Sequence, residues 1–179
     1  MAIRIAPLVA SDKTLFIALC TNQTIMQYVY TPLTVTQASK LFAERLVPWH
    51  HKSSGWLSYT LVETVTEKKV GTIGLKIIDH QAAVAEVGFM MLSDAQGKGY
   101  ASQALGLLCK QAFSVLNLHK LVAVCAAENS ASVALLQKQG FQLEERLKNN
   151  TEINGVFVDD LRYGLVNNTV GNGYFFENN

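Results

Sequence analysis

The sequence predicts an α/β (α+β) fold: a mixed, mostly antiparallel central sheet flanked by helices, with one parallel strand pair opening onto a cleft. Residues 84–126 run strand, amphipathic helix, strand, and such a crossover is right-handed and leaves its two strands parallel. On either side, residues 56–78 and 141–166 each divide into two strand-like runs across a turn, the pattern of antiparallel hairpins. A length of 179 residues suits one domain with a sizeable core.

The elements follow in chain order. Ile3–Leu8 reads as a strand, Ser11 and Asp12 as helix-start residues, and two or three helices end near Ser54. Trp56–Val62 and Val70–Ile78, rich in β-branched and aromatic residues, flank the charged turn Thr66–Lys69. Val84–Leu92 is apolar on both alternating faces except at Glu86 and Gly88, as in a central strand covered on both sides. Beyond the loop Ser93–Gly99, Ala101, Ala104, Leu105, Leu108, Ala112, Val115 and Leu116 make one helical stripe, and Leu121–Ala126 is a second buried strand. The two parallel strand ends then share one cleft. A helix over Ser130–Gln139 stops at Gly140, and Phe141–Leu147 and Val156–Val166 form a hairpin with a long loop around Asn154-Gly155. Residues 1–166 form a single domain. Residues 167–179, with five asparagines and Tyr174-Phe175-Phe176, form a tail that could pack on its own sheet or dock on a partner subunit.

Composition excludes several classes. Hydrophobic residues make up 49% and charged residues 16%, against roughly 25% charged in ordinary soluble domains, so the chain is not intrinsically disordered. Fifteen Lys+Arg against fourteen Asp+Glu leave a net charge of +1, without the basic footprint of a general nucleic-acid binder. No apolar run reaches the ~18 residues of a membrane span. Ile5–Ala10 is short and broken by Pro7, so neither a membrane nor an export signal is indicated, and the expected location is the cytoplasm. Cys20, Cys109 and Cys125 are odd in number, far apart and set in apolar sequence, which fits small buried hydrophobes rather than a disulfide framework or metal cluster. His50, His51, His80 and His119 lack metal-ligand spacing, so no metal is expected.

The stretch that carries chemistry is Gln96-Gly97-Lys98-Gly99-Tyr100-Ala101, between the central strand and the amphipathic helix. Free N–H groups at a helix start, with glycines admitting close approach, make an anion site suited to a pyrophosphate. It is not a Walker A loop, because Gly99 rather than Ser or Thr follows Lys98. Nor is it a dinucleotide fingerprint, since Ser102 holds the third glycine's place and no acidic residue lies about 20 positions on.

The loop resembles the coenzyme A loop, Q/R-x-x-G-x-G/A, of the Gcn5-related N-acetyltransferases, here Gln96, Gly99 and Ala101. Asn129-Ser130-Ala131-Ser132 and Lys138-Gln139-Gly140-Phe141 resemble the family's N-x-x-S to K-x-G-F segment, with the spacing of the subgroup that acetylates ribosomal-protein N-termini. Asn154-Gly155 followed by Asp159 and Tyr163 adds to that likeness. The resemblance implies acetyl-CoA as co-substrate, its pyrophosphate on N–H groups of Gly97, Lys98, Gly99, Tyr100 and Ala101. It also implies backbone contacts from Met90 and Met91 to the pantetheine arm, and a contact from Asn129, which would equally cap its helix. The side chains of Met90 and Met91 are expected in the core.

Acetyl transfer needs a neutral amine, a stabilised oxyanion and protonation of the thiolate. A thiol with pKa near ~8.5 leaves readily, so a strong acid is not obligatory. Ser132 matches the serine proposed as proton donor in the resembled subgroup, and equally suits a helix's first turn. Leu136 stands where many acetyltransferases have a tyrosine acid. Two carboxylates compete as base. Glu152 lies one place after Thr151, where the subgroup's glutamate falls, whereas Glu86 is the lone acid of an apolar strand, where burial would raise its pKa. A structural hydrogen bond is the expectation for Asp159.

The resemblance implies a primary amine as acceptor. A protein N-terminal α-amine, with pKa near ~8, is favoured over a lysine amine near ~10.4. A small-molecule amine such as a polyamine, amino sugar or aminoglycoside is the alternative, and a non-catalytic acyl-CoA-binding module is a third. His50 and His51 could face the acceptor pocket. A homodimer is an expectation of the resemblance alone.

Overall fold

A computed structural model describes residues 2–168. Seven strands form one sheet in the order β1-β2-β3-β4-β5-β7-β6: β1 (Ile3–Pro7), β2 (Leu57–Glu63), β3 (Lys69–Asp79), β4 (Val84–Met91), β5 (Lys120–Ala126), β6 (Gln142–Ile153) and β7 (Val156–Val166). Every neighbouring pair is antiparallel except β4–β5, which is parallel as the crossover requires. The helices are α1 (Lys13–Thr21), α2 (Gln23–Met26), α3 (Val35–Arg45), α4 (Tyr100–Ser114) and α5 (Ser130–Lys138).

Register sorts the two faces of the sheet. Ser58 lies opposite Gly74, Thr60 opposite Thr72, Gly74 opposite Gly88 and Thr72 opposite Met90, so these residues and Glu86 share one face. The other face carries Leu61, Ile73, Leu75, Val87 and Met91, which join Ala104, Leu105 and Leu108 of α4 in the main core. On the first face Phe16, Cys20, Ala38 and Phe42 of α1 and α3 make a smaller core against Met90. All-round burial thus makes the middle strand apolar, and Glu86 and Gly88 mark its side toward α1 and α3.

Asp12 fixes that helical layer to the sheet. Buried at the start of α1, its carboxylate accepts from the Val9 N–H (3.0 Å) and the Thr60 hydroxyl (2.6 Å) and pairs with Lys69. Burial alone would raise its pKa, but the bonds from Lys69, Thr60 and Val9 outweigh that and hold it below the ordinary value.

Two boundary expectations are corrected. The N-terminal helices end at Arg45, not near Ser54, because Leu46 closes α3 and Pro48 follows. No long loop separates the last two strands. β6 runs on to Ile153, and Asn154-Gly155 makes a two-residue turn with φ of +52° and +80°, the left-handed pair of a tight hairpin. Register shifts at Leu143/Glu145 and Leu147/Thr151 absorb the extra residues. Asn167, assigned to the tail, is buried, its N–H donating to the His119 carbonyl (2.8 Å) and its amide to that of Leu118 (3.2 Å). Residues 169–179, with the aromatic triplet, lie outside the described residues. Among the described residues no helix is long and apolar enough to cross a membrane.

Candidate active site

The cleft arises where the sheet parts. β4 and β5 pair only at Val84–Lys120, Ala85–Leu121 and Glu86–Val122. Beyond Glu86, β4 stays paired with β3 as far as Met91 and β5 with β7 as far as Ala126, so the two strands diverge. Two cavities, of about 460 Å³ and about 320 Å³, occupy the gap and share walls at Tyr28, Phe89, Met90, Asn129 and Ser132. We call them the outer and inner chambers.

The outer chamber is built on the glycine loop. Gly97 and Gly99 have φ of +75° and +76°, and a Cβ on either would meet nothing within 4 Å. Gly99 caps α4 from that left-handed conformation, no side chain caps the helix, and its first N–H groups are left for an external acceptor. The Gln96 amide donates to the Met91 carbonyl (3.3 Å), tying the loop to the end of β4. Met90, Met91, Gln96, Gly97, Gly99, Tyr100 and Ala101 all line this chamber. Lys98 is exposed and outside the lining, with Nζ 5.8 Å from the Tyr100 ring centroid. The Tyr100 side chain is buried and its hydroxyl bonds to Glu63, so its contribution to the loop is main-chain. An uncapped helix start, two left-handed glycines and open space fit a diphosphate.

At the junction, Asn129 Oδ1 accepts from the Ser132 N–H (3.1 Å), capping α5 while also lining both chambers. Ser132 lies in the first turn of α5 and also lines both chambers. Leu136, one turn on, is buried and presents an apolar wall to the inner chamber.

The inner chamber holds three charged side chains, Arg45, Glu86 and Asp160. Glu86 is half-buried at the last paired position before the strands part. Asp160 is buried on β7 and accepts from the Asn150 amide (2.8 Å) and the Thr151 hydroxyl (2.5 Å). Arg45 turns inward from the end of α3, its guanidinium 4.3 Å from the Trp56 ring centroid. The indole in turn lies against Gly88, where a Cβ would come within 3.2 Å of it. Burial pushes the Arg45 pKa down to about 10, although Tyr30, Cys20 and Glu44 favour its charge. Burial, then Asp160, pushes the neighbouring Cys125 thiol up to about 11. Tyr28, Val29 and Tyr30 wall the chamber, and the tip of the last hairpin holds the segment just beyond them, where the Asn154 N–H donates to the Thr31 hydroxyl (2.8 Å).

Of the two candidate bases the fold brings only Glu86 into the cleft. Thr151 lines the inner chamber, whereas Glu152 is exposed and lines neither, consistent with strand alternation. His50 and His51 are exposed, stacked edge-on at 6.5 Å, and also line neither chamber. Asp159 makes the structural bonds expected of it, to the Asn149 N–H (2.9 Å) and Arg146 (2.8 Å), and these hold its pKa low. Sequence reasoning missed Asp160, Arg45 and Trp56. Only strand parity against Asp159 could have pointed to Asp160, and nothing local marks the other two. Among the described residues no three His, Cys, Asp or Glu side chains converge as metal ligands.

Residues 3–142 match the acetyltransferase (GNAT) domain. The chain belongs to the GNAT acetyltransferase family. An uncharacterized N-acetyltransferase of Bacillus licheniformis, p20, is 31% identical over 108 residues, covering 60% of this chain and 61% of that protein. Matches of this kind span about half to three fifths of the curated relatives' own length. The Vibrio cholerae spermidine N-acetyltransferase, solved with CoA and spermine, superposes with a TM-score of 0.81 at 24% identity, over 92% of this chain and 95% of that one. The RimL ribosomal α-N-protein acetyltransferase, solved with coenzyme A, gives 0.81 at 19% identity, over 93% and 94%. At these identities the likeness is one of fold. The GNAT match covers the glycine loop and α5 and stops at the start of β6, so Asp160 lies beyond it.

Proposed function

We propose that this chain is an acetyl-CoA-dependent N-acetyltransferase acting on a primary amine by direct attack on the thioester. The observation that carries the reading is the meeting of an anion-binding chamber and a carboxylate-bearing chamber at Phe89, Met90, Asn129 and Ser132, where the sheet opens.

When bound, acetyl-CoA supplies an acyl carbon already activated by a thiol leaving group. The N–H groups from Gly97 to Ala101 hold the diphosphate, with Lys98 adding positive charge at the rim. The Met91 main chain, on the β5 side of the strand where the splay leaves no partner, holds the amide-bearing arm, whereas that of Met90 faces Thr72 of β3, and Asn129 closes the arm on the α5 side. Glu86 takes the proton from the acceptor's ammonium, directly or through water, and Ser132 gives a proton to the departing sulfur. Glu152, outside both chambers, has no part in this scheme.

For the acceptor we propose an α-amine, as at a protein N-terminus, because its pKa near ~8 leaves little work for a single half-buried carboxylate. Glu86 and Asp160 in the inner chamber favour the second reading, a polyamine such as the spermine bound by the Vibrio cholerae neighbour. Thiol release from acetyl-CoA with N-terminal peptides, polyamines and amino sugars tests both. Tight coenzyme A binding without turnover on any amine would leave only an acyl-CoA-binding module. Light scattering of the full chain tests the expected homodimer.

A further inference from the structure

Resting on the acyl-transfer reading of the cleft, we infer that the acceptor is an amine that also carries a carboxylate, with its amine on Glu86 and its carboxylate on the Arg45 guanidinium. The inner chamber is bipolar, because its charged lining is one cation from α3 and two carboxylates from β4 and β7.

An arginine in the last turn of a helix ordinarily reaches solvent or the terminal carbonyls. Arg45 instead turns inward over Trp56, and its Nε is buried without a hydrogen-bond partner. None of the ion pairs among the described residues includes it. Its one hydrogen bond, from Nη1 to the Ser58 hydroxyl, is 3.5 Å long. A partly desolvated charge with so little compensation is unfavourable unless a counter-charge arrives. Stacking one guanidinium face on the indole leaves the in-plane N–H edge for an acceptor, and that fork matches a carboxylate. Asp160 is already engaged by Asn150 and Thr151, which leaves the ammonium to Glu86. An acceptor carrying only amines offers Arg45 no counter-charge, and an ammonium set against the guanidinium would be a like-charge contact that disfavours it.

The test uses the full chain, acetyl-CoA and matched acceptors: free α-amino acids, their α-carboxamides, spermidine, and short peptides whose first residue is acidic or neutral. The inference expects the free acid to exceed its carboxamide at least tenfold in kcat/KM, mainly through KM. Arg45→Gln should bring that ratio to within twofold, and Arg45→Lys should restore part of it. Calorimetry on the coenzyme A-loaded protein should show the free acid binding at least tenfold more weakly to Arg45→Gln, with coenzyme A affinity unchanged as the check of folding. If Arg45→Gln misfolds, the wild-type ratio and Arg45→Lys still decide. A preference confined to peptides beginning with Asp or Glu assigns the carboxylate to a peptide side chain, and a preference for free amino acids assigns it to a small acceptor. Equal rates on acid and carboxamide together with equal rates on peptides beginning with an acidic or a neutral residue, a preference for spermidine, or a preference that survives Arg45→Gln would overturn the inference while leaving acyl transfer intact. Coenzyme A binding with no turnover on any amine would remove both.

Discussion

Replacing Gly99 with alanine separates backbone strain from coenzyme recognition. The residue sits at φ +76°, and a Cβ there meets nothing within 4 Å, so the folded protein has room for alanine but not the conformational freedom. Holding an L-residue in the left-handed region costs about 1–2 kcal/mol, which for a domain of this size lowers Tm by roughly 2–8 °C. If the loop relaxes instead, its N–H groups turn away from the diphosphate. Losing one charge-assisted bond of about 1.5–3 kcal/mol weakens coenzyme A binding roughly 10- to 100-fold. Gly155 supplies the control, being equally open at φ +80° but placed in the hairpin turn outside the outer chamber. Gly155→Ala should show a similar Tm loss with coenzyme A affinity intact. The assay is calorimetric titration of coenzyme A, with thermal unfolding in parallel. Should Gly99→Ala leave Tm unchanged, the loop having relaxed, and still bind coenzyme A as tightly as the wild type, the loop is not the diphosphate cradle.

Three further outcomes are expected. Glu86→Gln and Ser132→Ala should each lower kcat about 10²- to 10⁴-fold, whereas Glu152→Gln should stay within about twofold because Glu152 is outside the cleft; steady-state kinetics decide, and wild-type kcat in the first two variants would remove the assigned roles. Asp12→Asn should lose about 2–3 kcal/mol at pH 7: since the folded pKa lies below the ordinary value, the Asp12 contribution is complete above about pH 5, near the unfolded pKa of ~4, and fades as pH falls through the folded value, so urea unfolding curves of variant and wild type should converge in acid. Cys125, half-buried and with its thiol raised to about 11, should alkylate slowly at pH 8 and about tenfold faster per pH unit above that; rapid iodoacetamide labelling at pH 8 would contradict the raised pKa.

The sheet's centre is legible in the sequence because it is buried. Val84–Met91 and β5 announce themselves by short continuous apolar runs, α4 by its 3.6-residue stripe, and the glycine loop by the conformations only glycine adopts easily. β6 is not, since most of it is exposed at the sheet's edge: Glu144, Glu145, Lys148, Asn149 and Asn150 show no apolar alternation, so the segment looks like a loop. Asp160 is hidden because Phe157, Leu161 and Tyr163 share the strand parity of Asp159, whereas Arg162 and Gly164 share that of Asp160. Arg45 and Trp56 are illegible for another reason. Each is ordinary in its own stretch, and only tertiary packing of α3 on the sheet stacks them.

The three rungs that join β4 to β5 are all that the ladder offers between one half of the sheet and the other. Past them two strand margins stand apart with main-chain donors and acceptors facing each other across a space, and a molecule bearing amides can take the place of a missing strand. A chain built this way is finished by what it carries. Occupancy should therefore stiffen the seam and add stability by mass action, about 2.7 kcal/mol at a hundred times Kd, with slower amide exchange from Val87 to Met91 and from Ala123 to Ala126.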